Sequence, residues 1–171
     1  MQIRSFLLPV TCLTLVTAAG LAAASLSIGD KQFLVMAAKN RMIEAHEGHL
    51  AEVQAKRAGV KDLATAMVQD NTMSYQHLTV LAAKAGVTIP RGIDAARDPI
   101  LKQLVRLKEE RFDRQFTRDV IAAHRQAISA FKWESAHGKN AEVKAYAKEM
   151  IPTLEKHLHL AEECAKAPRH S

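Results

Sequence analysis

The stretch VKDLATAMVQDNTMSYQHLTVLAAKAG, residues 60–86, decides the fold. Val60, Ala64, Met67, Leu78, Leu81 and Ala85 follow one another at steps of three, four or eleven residues, and each of these steps returns to the same face of an α-helix. Good helix formers fill the stretch and Gly86 supplies a stop, so a helix over Val60–Lys84 is expected. A helix with one apolar face has to bury that face against something, and the rest of the chain must supply the partners.

Upstream, Phe33, Ala37, Gly48, Ala51 and Ala55 mark a first helix from about Asp30 to Lys56, with a tight turn expected at Gly59. Downstream, residues 87–94 are too broken by Pro90 and Gly92 to be helical. Asp98-Pro99 then reads as a helix start, with Asp as the cap and Pro in the first position. A third helical stretch carries Leu101, Leu104, Leu107, Phe112, Phe116, Val120, Ala127 and Phe131 to about Ala136, with a bend expected near Glu109-Glu110. After His137-Gly138-Lys139-Asn140 a last helix carries Val143, Ala147, Met150, Leu154, Leu158 and Ala161. Long helices joined by short turns, with one longer connection between helices 2 and 3, make an all-α, ferritin-like up-down four-helix bundle the expected fold.

Composition agrees. The 171 residues are 48% apolar with only 7 Gly and 5 Pro, enough for one core and poor in strand-forming pattern. Residues 1–24 stand apart: Arg4 is followed by an uncharged run to Ala24 that ends in three alanines, the order of a secretory signal. Residues 25–171 would then form the helical domain, in the periplasm or exported cell envelope of a bacterium. An uncleaved membrane anchor is the alternative for the same segment, since about 20 apolar residues can span a bilayer. Cys164 is the one cysteine beyond that segment, so stability has to come from packing, and a buried position on the last helix is expected for it. The net charge of +6 is scattered among acids in every helix and reads as a solvated surface, with no basic patch for nucleic acid.

The blocks Gly48-His49-Leu50-Ala51, Val60-Lys61-Asp62-Leu63-Ala64, Met67-Val68-Gln69-Asp70, Leu81 to Pro90, Phe112-Asp113, His124 and Ile151 to Leu158 together resemble the bacterial DUF4142 family over nearly the whole chain after residue 24. The resemblance implies an exported ferritin-like helical protein and implies no particular activity. In that family the residue after the Asp of the Met-Val-x-Asp block is commonly His; here it is Asn71.

Polar residues on inward faces are where chemistry would sit, because a charge or imidazole in a helical core is expensive unless it is paired or binds a metal. His124 shares a stripe with Val120 and Ala127, His157 with Leu154 and Ala161, Glu44 with Ala37 and Gly48, and Asn71 with Ala64 and Met67. All four lie mid-helix, so they share a level in an antiparallel bundle. Glu44, His124 and His157, with Asn71 at the same level, are therefore the candidate ligands of a mononuclear transition-metal site, or else a buried hydrogen-bond cluster. A di-iron centre is not expected, since neither histidine has a Glu three residues before it. Glu134 and His137 have that spacing but fall at a helix end and read as a solvated pair. His46 and His49 lack the spacing of a zinc protease motif, Asp113 is expected to order the start of its own helical segment, and no phosphate loop or nucleophile elbow is present. The expected function is a non-catalytic envelope protein that binds an unknown envelope partner or serves stress tolerance, with a ferritin-like metal-binding protein as the alternative. Any membrane attachment would be through the N-terminal segment.

Overall fold

The computed structural model describes residues 26–94 and 98–166; the expected signal or anchor segment, residues 1–24, lies outside them. Within the described residues the chain is all-α, with five helices and no strand: α1 (Ile28–Gln54), α2 (Ala58–Lys84), α3 (Pro99–Val105), α4 (Glu109–His137) and α5 (Ala141–Lys166). None of these helices is long and apolar enough to cross a membrane.

The helix ends follow from local chemistry. Ser27 caps α1 by a reciprocal pair of bonds: the Asp30 N–H donates to Ser27 Oγ and the Ser27 N–H donates to the Asp30 carboxylate. At the end of α2, Gly86 adopts φ +66°, and the N–H groups of Gly86 and Val87 donate back to the carbonyls of Ala83 and Ala82, which closes the helix with a left-handed residue. Asp98 caps α3 by accepting from the N–H groups of Ile100 and Leu101, as its position before Pro99 led one to expect.

Three details differ from the sequence reading. Gly59 lies inside α2, and the turn is made by residues 55–57. The third helical stretch is interrupted, not bent: Glu109 sits at φ +49°, a left-handed residue through which a right-handed helix cannot run. Asp113 does not order its own helix start. It is fully buried and accepts from the N–H groups of Lys56 and Arg57, both at 3.0 Å, and from Arg57 Nε at 3.3 Å. Arg57 in turn donates to the Cys164 carbonyl at 2.9 Å, so this contact ties the α1–α2 turn to α4 and α5. Cys164 itself is half-buried against the core.

Helix α1 packs on α2 and α4 on α5, and the two pairs meet through α2 against α5 and α1 against α4. Connections of three residues between long helices in contact make each pair antiparallel. The apolar core is divided in two. One cluster gathers around Phe33, Phe131, Tyr146 and Leu154, the other around Met67, Phe112, Phe116 and Val120. On every long helix the buried residues between the two clusters include polar ones: Arg41, Glu44 and Glu47 on α1, Asn71 and Ser74 on α2, His124 on α4 and His157 on α5.

Helices α1 and α2 approach closely because Gly48 has no side chain. A Cβ there would lie 2.7 Å from Val68 Cγ2 and 3.1 Å from the Ala64 carbonyl oxygen. Gly48→Ala is therefore expected to destabilise the fold by about 1–3 kcal/mol, read as a lower urea midpoint; an unchanged midpoint would mean that the two helices part at little cost.

Candidate metal centre

His124 and His157 are fully buried, and their rings meet edge to face with His124 Nε2 3.3 Å from His157 Nδ1. The outer nitrogen of each ring is already committed. His124 Nδ1 lies 3.0 Å from the Val120 carbonyl oxygen, which can only accept, so Nδ1 carries the proton and donates. His157 Nε2 lies 2.9 Å from Asp70 Oδ2 and donates to that carboxylate. Lys156 Nζ reaches the same oxygen at 3.2 Å from the solvent side. A neutral imidazole has one N–H, so each inner nitrogen is left with a lone pair, and the two lone pairs face each other across 3.3 Å.

The electrostatics keep the rings neutral. Burial lowers the His124 pKa below its usual value against the pull of the Glu44 charge. Burial, then the neighbouring His124, bring His157 down to about 4, although Asp70 and Glu44 act in the opposite direction.

Glu44 is buried at this level and paired with an equally buried Arg41, whose Nη2 lies 3.1 Å from Oε2. The Arg41 guanidinium also sits 5.7 Å above the Phe131 ring. Glu44 thus bears on both histidines through its charge, while its contact is with Arg41. Asn71 is fully buried, and neither its Oδ1 nor its Nδ2 has a hydrogen-bond partner. Among the described residues no three His, Cys, Asp or Glu side chains converge on one point, so the directly facing donors are the two imidazoles.

The sequence reading put Glu44, Asn71, His124 and His157 at one level; all four are buried, and the two histidines lie together. It missed Arg41, Asp70 and Glu47. Arg41 was findable, since it lies three residues before Glu44 and continues the stripe of Leu34, Ala37 and Ala38. Asp70 was not, because it reaches His157 from the rim of α2. His46, His49 and His159 are exposed.

Glu134 departs from the solvated pair expected with His137. It is buried at the end of α4, while His137 bonds the Trp133 carbonyl. Desolvation, then the hydrogen bond and charge of Asp30, raise its pKa to about 7. Burial alone would raise Asp30 as well, but bonds from Ser27, Lys139 and Glu134 outweigh it and hold Asp30 at about 2. Glu47 on α1 is raised to about 8 by burial and by the charges of Glu44, Asp98 and Asp119.

Both raised carboxyls prefer the neutral form when folded. Their stabilising contribution is complete below the unfolded value of 4.5 and is lost as the pH climbs through about 7 for Glu134 and about 8 for Glu47. The melting temperature is expected to decline between about pH 5 and pH 9. The decline should be shallower in Glu134→Gln and in Glu47→Gln; parallel curves for variants and wild type would contradict the assignment.

The chain belongs to the DUF4142 family, a domain of unknown function whose model matches residues 16–164. No curated protein matches it. Among solved structures it is similar to a DUF305 fragment from Deinococcus radiodurans, at 15% identity and TM-score 0.71, covering 82% of this chain and 97% of that one. It is also similar to CopM in its Cu(I)-bound form, at 17% identity and TM-score 0.67, covering 78% of this chain and 93% of that one. CopM in an Ag-bound form matches at 18% identity and TM-score 0.65, over 78% and 93% of the two chains. At these identities the likeness is one of fold.

Proposed function

We propose that this DUF4142 protein is a non-catalytic, exported helical bundle that binds one transition-metal ion of the copper class between His124 and His157. The observation that carries the reading is the pair of facing nitrogens. A gap of 3.3 Å is what two imidazole nitrogens leave between themselves when each lies about 2.0–2.1 Å from one ion at a near-tetrahedral angle. Each outer N–H is meanwhile held by an oxygen, of Val120 or of Asp70, which is the support that metal-bound histidines ordinarily have. Left to themselves, two buried lone pairs repel; a cation shared between them removes the repulsion.

The orphaned amide of Asn71 and the half-satisfied Glu44 give this buried layer polar atoms that an apolar core has no use for. Copper is the first ion to try. Imidazole suits it, and CopM, with the same kind of fold, has been solved with Cu(I), Cu(II) and silver. The reading includes the ferritin-like bundle order and a cleaved signal over residues 1–24. It needs no reaction at the site, and sequestering or passing on the ion in the envelope is the role it supports.

The test is to titrate the metal-free protein with Ag(I) and with Cu(I) under argon against a competing chelator. One ion per chain is expected for wild type and none for His124→Ala/His157→Ala, with helical content checked by circular dichroism. Equal stoichiometry in wild type and a folded double variant would end the proposal.

A further inference from the structure

Between α1 and α4 lies a cavity of about 370 Å³, which Glu44 lines. Its polar lining includes three carboxyl groups, of Glu44, Glu47 and Asp98, and no basic side chain among the described residues. Glu47 is only 4% exposed, yet no hydrogen bond or ion pair joins it to another described residue; the charges that act on it are those of other acids. An unpartnered carboxyl is a costly thing to bury, and its position in the wall of a cavity gives it an occupant to wait for. On the facing wall Ala123 and Ala127 flank His124 along α4, and side chains this small are what leaves the space open. Glu44 belongs to both places, since it lines the cavity and its charge acts on both rings.

The other approach to the pair is guarded by a cation, because Lys156 sits on the outer face of Asp70 and Asp70 covers His157. From these placements we infer that the cavity is the entry port of the metal site: a monovalent or divalent metal cation is received at Glu47, passes Glu44 and reaches His124 and His157. This inference rests on the metal-binding reading above and adds the route and the receiving group. Acidic walls around a low-dielectric cleft concentrate cations, so the port acts on the rate of loading and leaves the final affinity to the histidines.

The experiment is stopped-flow transfer of Ag(I) from a chromophoric chelator to the metal-free full chain. At about pH 9, where the Glu47 carboxyl has lost its proton, Glu47→Gln should slow uptake by about tenfold or more with equilibrium affinity unchanged. Ala123→Leu, which narrows the cavity from a partly exposed position, should slow it independently of charge. Glu149→Gln removes an exposed carboxylate on the opposite side, next to His77, and should load at the wild-type rate. Wild-type rates in both Glu47→Gln and Ala123→Leu would overturn the port. A loss of affinity in Glu47→Gln would overturn it differently, by making Glu47 a ligand of the final site. The His124→Ala/His157→Ala variant separates the two readings: if it still binds Ag(I) with wild-type affinity, the metal-binding reading itself has failed and the port falls with it.

Discussion

Replacing Arg41 by methionine is expected to destabilise the protein by about 3–5 kcal/mol, because it leaves the buried Glu44 charge uncompensated in the middle of the core. Both side chains are nearly inaccessible, at 1% and 5%, so water cannot take over the role of the guanidinium. The loss extends beyond the ion pair, since the Arg41 guanidinium also packs over Phe131 and fills volume between the two apolar clusters. Arg41→Met/Glu44→Gln should recover a large part of the loss, because the pair is then replaced by groups with no net charge to bury. Urea unfolding of the two single variants and the double variant measures the coupling. Additive single effects would show that the pair is not the interaction described here.

Removing the Asp70 carboxylate should have its largest effect on the metal site and a small one on the fold. Asp70 holds the Nε2 proton of His157 and thereby keeps the Nδ1 lone pair turned toward His124. With Asp70→Ala, His157 can move its proton to Nδ1 or turn away. Loss of such a supporting carboxylate ordinarily weakens metal binding by about 10–100-fold. Since the Asp70 side chain is 21% exposed, water can fill the space and the fold should survive. Competition titration with Ag(I) reads the effect. An affinity equal to wild type would mean that the tautomer of His157 is fixed by something other than Asp70.

Much of this architecture was legible in the sequence, and the reasons differ from element to element. Helix α2 announces itself through its stripe and through Gly86, whose left-handed φ the stop requires. His124 and His157 were legible because each replaces an apolar residue on an otherwise apolar stripe, and antiparallel packing brings mid-helix positions to one level. Helix α1 was harder, since its buried face mixes Leu34, Ala37 and Ala38 with Arg41, Glu44 and Glu47. A pattern that looks for apolar residues cannot rank those charges as internal. Asp113 could not be assigned from its neighbours, because its partners Lys56 and Arg57 lie more than fifty residues away in the chain. The interruption at Glu109 has no sequence signature at all, because glutamate is not a residue that announces φ +49°. Glu134 was misjudged for a related reason: its partner Asp30 is at the far end of the chain, and only the fold brings the two acids together.

X-ray absorption spectroscopy of the Ag(I)- or Cu(I)-loaded protein reads the donor atoms of the site themselves. Two imidazole nitrogens are expected at about 2.0–2.1 Å for copper, a little longer for silver, with the imidazole signal lost in His124→Ala/His157→Ala. A first shell of sulfur, or an imidazole signal that survives in the double variant, would contradict it.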